Sequence, residues 1–287
     1  MEKVKIMNEK TQSIYKTNDT LKKNKRKRKN RKKFIARLFL FLVFIGCLIA
    51  IAISPICNTK SIYITGKTRY TQEKLFNSSG IIIGINSFKN IGGDLFAILQ
   101  LRDKKAEENI METYPYVKTA KVIYRLPSKF EIAIEERIPY IYIKYRNQFV
   151  IADTEGIALE NMNQRNNLNI PTFTAVLNDG FTLGKVLNFE HEDTFENVKY
   201  ILNKIKISDT NSSYKIYNKI YEIKSNSDGN IILNLGNKID ANIGFGENIN
   251  YKIDFLRTIY QSILKTGEKG YLDFTLEEKP VLQPTRK

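Results

Sequence analysis

Five side chains near residue 190 have the types from which an acid–base or metal site is built. His191, the single histidine, stands among Glu190, Glu192, Asp193 and Glu196. An imidazole beside carboxylates can hold a cation or relay a proton. The surrounding stretch is polar and leads into a helical pattern. A solvated loop, with Asp193 or Thr194 capping the helix, is the simpler reading. Glu135 and Glu136 form a second acidic pair, followed by Arg137. Neighbours on a strand face opposite ways, so these carboxylates do not converge, and an ion pair or sheet-edge contact suits Glu136 or Arg137 better. Gly244-Phe245-Gly246 is too short to cradle a phosphate and lacks a following Lys-Ser/Thr, which leaves a turn. No Gly-x-Ser-x-Gly or His-Glu-x-x-His occurs. Cys47 and Cys57, the only thiols, cannot form a disulfide framework. No catalytic, cofactor or metal residue is assigned from these patterns.

The elements that must hold any such surface begin with Phe34–Ile53. These twenty residues carry one charge, Arg37, in the first turn. A helix of that length spans roughly 30 Å, the thickness of a bilayer's hydrocarbon core. Before it, Lys22–Lys33 holds ten basic residues in twelve; after it, Ser54–Lys60 holds only Lys60. The positive-inside rule places the amino terminus in the cytoplasm and Ser54–Lys287 outside. Two processing signals compete: Ala50-Ile51-Ala52 resembles a cleavage site, and Phe44-Ile45-Gly46-Cys47 loosely resembles a lipoprotein box. The long basic region and the apolar residues that continue to Ile53 favour a permanent anchor.

The formal charge of +16 is concentrated at one end. Residues 1–33 hold 14 Lys/Arg against three acids, a net of +11, Arg37 adds one, and the outer portion carries only +4. The basic tail is expected to be disordered and to rest on anionic membrane lipids. No specific nucleic acid is implied, because a lone basic run has no folded reader.

Outside the membrane the periodicities predict an α+β protein. Ser61–Gly66 reads as a strand, Thr71–Asn77 as a helix capped by Thr71, and a loop bracketed by Gly80 and Gly84 follows. A second helix runs from an Asp94 cap to about Thr113, with Leu95, Ile98, Leu99, Leu101, Ala106 and Ile110 on its apolar face. Val117–Tyr124 and Phe130–Glu136 are strands around a Leu126-Pro127-Ser128 turn. This β-α-α-β-β unit is compact enough to be one small domain. From Pro139 short strands dominate: Tyr140–Lys144, Gln148–Ala152, Ile157–Leu159, Ile170–Phe173 (strand or crossover), Ile216–Ile223, Ile231–Leu235, Lys238–Ile243 and Tyr271–Leu276. Two amphipathic helices, Thr194–Ile205 and Ile249–Lys265, interrupt them, the second capped by Asn248. Pro280 and Pro284 end the structure. The expected boundaries are a tail at 1–33, a transmembrane helix at 34–53, a linker at 54–60, a first domain at 61–137, a β domain at 138–280 and a short tail at 281–287.

These residues carry a family likeness. Pro115-x-Val117-x-x-Ala120-x-Val122, then Pro127-x-x-Phe130-x-Ile132-x-Ile134-x-Glu136-Arg137-x-Pro139, resembles the FtsQ-type POTRA domain of the bacterial division proteins FtsQ and DivIB. Gly66, the Gly80-Ile81-x-x-Gly84-x-Asn86-x-Phe88 loop, the Asp153-x-x-Gly156 turn and the ending Tyr271-Leu272-Asp273-Phe274 with Lys279-Pro280-Val281 are similar to it as well. The resemblance implies a non-enzymatic scaffold at the division septum that binds two other single-span proteins, DivIC/FtsB and FtsL. It also implies partner pairing along the last strand, here Tyr271, Leu272, Asp273, Phe274, Thr275 and Leu276. A terminal strand followed by Pro suits a sheet edge, which accepts a partner's strand through main-chain bonds. The alternative is an extracytoplasmic cell-wall enzyme or regulatory subunit on the same anchor. A translocation component would need repeated POTRA units or a barrel, and neither pattern is visible.

Overall fold

The computed structural model describes residues 31–226, 228–244, 248–276 and 280–284. The basic tail up to residue 30, the Gly244-Phe245-Gly246 turn beyond Gly244, and residues 285–287 of the terminal tail lie outside the described residues. Helix α1 runs Arg31–Ile53, 23 residues long, so it spans about 35 Å. Phe39, Leu40, Phe41 and Ile53 are all exposed on it. Apolar side chains that point outwards around the helix with no protein against them suit a hydrocarbon solvent.

A short turn, Pro55–Cys57, leads into β1 (Ser61–Thr65). Then come α2 (Gln72–Ser79), α3 (Ser87–Asn90), α4 (Leu95–Leu99), α5 (Lys104–Thr113), β2 (Val117–Arg125) and β3 (Lys129–Glu136). The sheet order is β1-β3-β2, with β1 parallel to β3 and β2 antiparallel to it. Thr71 caps α2 by accepting from the Lys74 N–H, and Gly80 ends it in the left-handed region. Leu75 of α2 and Ile110 of α5 meet Val122, Tyr124, Phe130 and Ile132 of the sheet in one core.

The helix expected from Asp94 to Thr113 is broken in two. Leu101 takes φ 55°, and the chain leaves the helix to bond the free edge of β2. The Tyr124 N–H donates to the Leu101 carbonyl at 2.7 Å, and the Asp103 N–H to that of Val122 at 2.9 Å. Asp103 then starts α5 by accepting from the Ala106 N–H. Edge bonds thus outcompete four residues of helix, and Leu99, expected on the apolar face, is exposed. The loop after Gly80 also holds α3, capped by the Asn86 side chain.

The second sheet has nine strands in the order β12-β11-β10-β9-β8-β7-β4-β5-β6. β4 (Ile141–Tyr145), β5 (Gln148–Ala152) and β6 (Ala158–Met162) form a meander. β7 (Thr172–Thr174) returns to the other side of β4, parallel to it. Helix α6 (Glu192–Thr210) crosses to β8 (Ile220–Ser225), which is parallel to β7. β9 (Ile231–Leu235) and β10 (Ile239–Gly244) follow as hairpins. Helix α7 (Ile249–Thr266) crosses to β11 (Gly270–Asp273), parallel to β10, and β12 (Gln283–Pro284) closes the row. Val198, Ile201, Leu202 and Ile205 of α6 share a core with Ile253, Leu256, Tyr260 and Ile263 of α7 and with the strands.

Several local expectations shift. Helix α6 starts at Glu192 and reaches Thr210; His191 holds the cap position, and neither Asp193 nor Thr194 caps it. Asn248 precedes α7 with φ 64° and makes no side-chain cap bond. The run from Ile216 opens as a turn, because the Asp209 carboxylate takes the Ile216 and Tyr217 N–H groups at 3.1 and 2.8 Å. The Arg257 guanidinium bonds Asp209, Ser208 and Asp254, joining the two long helices.

Gly66 follows β1 with φ 95°, and a Cβ there would stand 2.2 Å from the Ile134 carbonyl oxygen. Gly66→Ala is expected to lower stability by about 2 kcal/mol or more, from strain and overlap together. Gly84→Ala, also at positive φ but in open space, is expected to cost less. Urea unfolding of the two variants checks the ranking.

Candidate partner-binding edge and the interdomain joint

The last strand is placed by α7 and two glycines. Gly267, at φ 76°, ends α7, and its N–H donates to the Ile263 carbonyl. Gly270 lets β12 approach, since a Cβ there would overlap Leu282 and the Gln283 carbonyl. β11 pairs in parallel with β10, Tyr271 opposite Asp240 and Asp273 opposite Asn242. The Gly270 and Phe274 N–H groups donate inwards, to Lys238 and Asn242. Backbone groups alternate along a strand, so those of Tyr271 and Asp273 point to the outer edge.

Strand β11 is shorter than expected. It stops at Asp273, and Phe274, Thr275 and Leu276 form a turn. The cause is the Asp273 carboxylate, which accepts from both the Thr275 N–H at 2.9 Å and its hydroxyl at 2.6 Å. Burial works to raise the Asp273 pKa, but the Thr275 and Asn242 hydrogen bonds outweigh it and hold it below the usual range. β11 is not the outermost strand either: β12 covers it at Gly270 and Tyr271. Among the described residues, Leu272 and Asp273 have no strand on that side. Leu272 and Phe274 are buried, Phe274 edge-on to Phe255 with ring centroids 5.7 Å apart. Leu276 and Val281, beside the edge, are exposed.

The other residues singled out from the sequence collect at the joint between the two sheets. Glu136, the last residue of β3, accepts from the Thr68 hydroxyl at 2.7 Å and from the Arg69 N–H at 2.6 Å, and pairs with the Arg69 guanidinium at 3.2 Å. Burial pulls the Glu136 pKa up; these bonds outweigh it and leave it lowered. Arg69 lies over the Tyr116 ring, 3.4 Å from its centroid, and the Tyr116 hydroxyl donates to Glu160 of β6 at 2.8 Å. Tyr116, Tyr142, Ile151, Ile157 and Leu159 form a third apolar cluster spanning both sheets. Arg137 seals it, donating to Asp153 and Glu155 at 2.7 Å each, while Lys118 reaches Glu155 at 2.7 Å. Val117 is buried just inside, Pro115 abuts Gly184, and Pro139 leads into β4. Pro127 lies away from the joint, in the β2–β3 turn after a cis peptide bond. The Tyr116, Lys118 and Glu155 partners have no sequence signal of their own. Only the pairing of Arg137 with the Asp153 turn was approachable, through an unsatisfied cation beside a carboxylate turn.

The chemistry-bearing residues do not gather. Glu135 takes the Thr119 hydroxyl while Glu136 points to Thr68 and Arg69. His191 lines an open concavity with Thr174, Phe189, Glu190 and Ser225. Among the described residues, no three His, Cys, Asp or Glu side chains converge as metal ligands. Cys57 is buried, and its thiol faces the Ile51 carbonyl at 3.4 Å.

Residues 57–137 match the family model of the POTRA domain, FtsQ-type. With a helix long and apolar enough to cross a membrane before it and the mixed sheet after it, the chain is of the POTRA-bearing class. It is 28% identical over 260 residues to the cell division protein DivIB of Clostridium botulinum, covering 90% of this chain and 93% of that protein. It is 32% identical over 102 residues to the cell division protein FtsQ of Corynebacterium glutamicum, covering 36% and 40%. The solved extracytoplasmic domain of DivIB from Geobacillus stearothermophilus aligns over 46% of this chain and 97% of that one, with 13% identity and a TM-score of 0.26, too slight a likeness to bear on the fold. Residues 57–137 thus carry an FtsQ-type POTRA domain, and most of the chain is similar to DivIB cell-division proteins.

Arg137→Ala is expected to cost about 2–3 kcal/mol, because it strands the Asp153 carboxylate, whose side chain is only 5% exposed. Denaturant unfolding measures it. Glu155 is held down to about 2 from 4.5 by Lys118 and Arg137. A carboxyl whose folded pKa is depressed adds stability above its unfolded value and loses it as pH falls through the folded one. Part of the acid sensitivity between pH 4.5 and about 2 is therefore expected to vanish in Glu155→Gln, read from melting temperature against pH.

Proposed function

We propose that this chain is a non-catalytic scaffold of the bacterial division machinery. Its amino terminus is cytoplasmic, and its folded units work outside the membrane, at the septum. Its partners are single-span division proteins of the DivIC/FtsB and FtsL kinds. The observation that carries the reading is the half-open outer edge of the terminal sheet, with outward backbone groups at Asp273 and exposed Leu276 and Val281 beside it. A partner strand would add there through main-chain bonds, and the apolar pair would give it side-chain contact. The domain boundaries expected from the sequence are kept in this reading: anchor at 34–53, POTRA unit at 61–137 and β domain at 138–280. The names of the relatives, all cell-division proteins, support the cellular role.

β12 sets a condition on this mode. It already occupies the edge at Gly270 and Tyr271, so a partner must pair beyond it or displace two residues. A strand of two residues contributes few bonds and is easily exchanged.

Phe274→Pro is a poor probe of the edge, because the Phe274 N–H serves β10. Asp273→Pro removes an outward donor instead, with Asp273→Ala, which loses the same carboxylate bonds to Thr275 and Asn242 but keeps the N–H, as its reference. In co-purification of the full chain with its single-span partners, it is expected to weaken retention by about tenfold, roughly the loss of one main-chain bond. Undiminished retention by a variant with native circular dichroism would count against strand addition.

A further inference from the structure

The junction of anchor and exterior holds four isoleucines that the POTRA core does not use. Ile53 closes α1, and Ile56 sits in the turn that follows it. Ile82 and Ile83 stand in the loop between α2 and α3, 58% and 51% exposed, whereas Ile81 beside them is buried in the core. Each exposed isoleucine forgoes burial worth about 1.5 kcal/mol or more in a folded protein. Two in succession at a loop apex call for a partner.

The loop is fixed to the end of the anchor. The Asn86 side-chain amide donates to the Ala52 carbonyl at 2.9 Å and to that of Ser54 at 3.4 Å, taking up groups that the helix end leaves open. The Gly84 N–H donates to the Thr59 carbonyl and the Thr59 N–H to that of Ile85, both at 2.8 Å. Asn90 holds the Ile82 backbone and the Thr59 hydroxyl. Ile83 is three residues from Asn86, a reach of about 10 Å at most. The basic Arg31–Lys33 account for the excess of α1 over the roughly 30 Å hydrocarbon core, so its apolar run, Phe34–Ile53, ends where the headgroups begin.

Charge agrees with that placement. From Ser54 to Gly93, Arg69 being paired with Glu136, the chain has four further basic residues, Lys60, Lys67, Lys74 and Lys89, and one carboxylate, Glu73. Such a segment is drawn to an anionic lipid surface and offers it little repulsion.

We infer that the Ile82–Ile83 apex is seated in the headgroup layer of the bilayer that α1 crosses, so that the POTRA unit lies on the membrane at a second point. The inference depends on α1 as an anchor and not on strand addition at β11.

The chain has no tryptophan, so a single introduced one reports its own surroundings. Ile83→Trp, and Ile82→Trp as a second variant, are placed in the full chain in nanodiscs of phosphatidylcholine and phosphatidylglycerol. Ile207→Trp, on the exposed side of α6, serves as the aqueous reference, and Phe39→Trp reports insertion of α1. The apex variants are expected to emit to the blue of Ile207→Trp, to be quenched several-fold less by iodide, and to be quenched by lipids brominated close to the headgroup. Emission and iodide quenching equal to those of Ile207→Trp, in variants with native circular dichroism, would overturn the inference. Failure of mid-chain brominated lipids to quench Phe39→Trp would overturn it by removing the anchor, while leaving strand addition to be judged by co-purification.

Discussion

The two folded units are held in one piece by the Arg137 guanidinium. It ends the POTRA sheet and reaches the Asp153 turn of the second sheet, which accepts from the Glu155 and Ile157 N–H groups through the same carboxylate. Behind it, the Tyr116, Tyr142, Ile151, Ile157 and Leu159 cluster excludes water from the seam. A charged cap over an apolar seam resists opening twice: separation would expose the cluster and leave the Asp153 carboxylate, whose side chain is nearly buried, without its cation. Two small cores without a disulfide between them act as one body through this contact.

The strong periodicities were readable. The alternation of Phe130, Ile132 and Ile134 marks β3, and Phe195, Val198, Ile201, Leu202 and Ile205 mark α6, because one face of each is buried. The class of fold, the long apolar helix and most of the order of elements followed from such patterns. What failed was decided by backbone bonding at a distance. Nothing in the Leu99–Asp103 run announces that Leu101 and Asp103 will bond the edge of β2 and break a helix. The turn at Tyr217 depends on Asp209, seven residues upstream of Ile216, and the early end of β11 on an Asp–Thr bond that competes with the ladder.

The candidate edge was legible only in outline. Its location near the carboxyl terminus could be read from the alternation around Leu272 and the prolines that follow. That β12 would fold back on Gly270 could not, since two residues carry no periodicity. The same holds for the joint. Glu136 and Arg137 stood out, but their side-chain partners come from two other segments, and Tyr116 and Glu160 were ordinary residues until the fold brought them within 2.8 Å.

The amide of Asn86 clasps the last carbonyls of the anchor, and the seam at Arg137 fixes the second sheet to the first. Together they turn the exterior into a ruler. In the proposed scaffold the terminal strand would stand at a set altitude above the bilayer, and a tethered partner would reach it only with a segment at a matching distance from its own span. Stem length, as much as side-chain chemistry, would then select who docks.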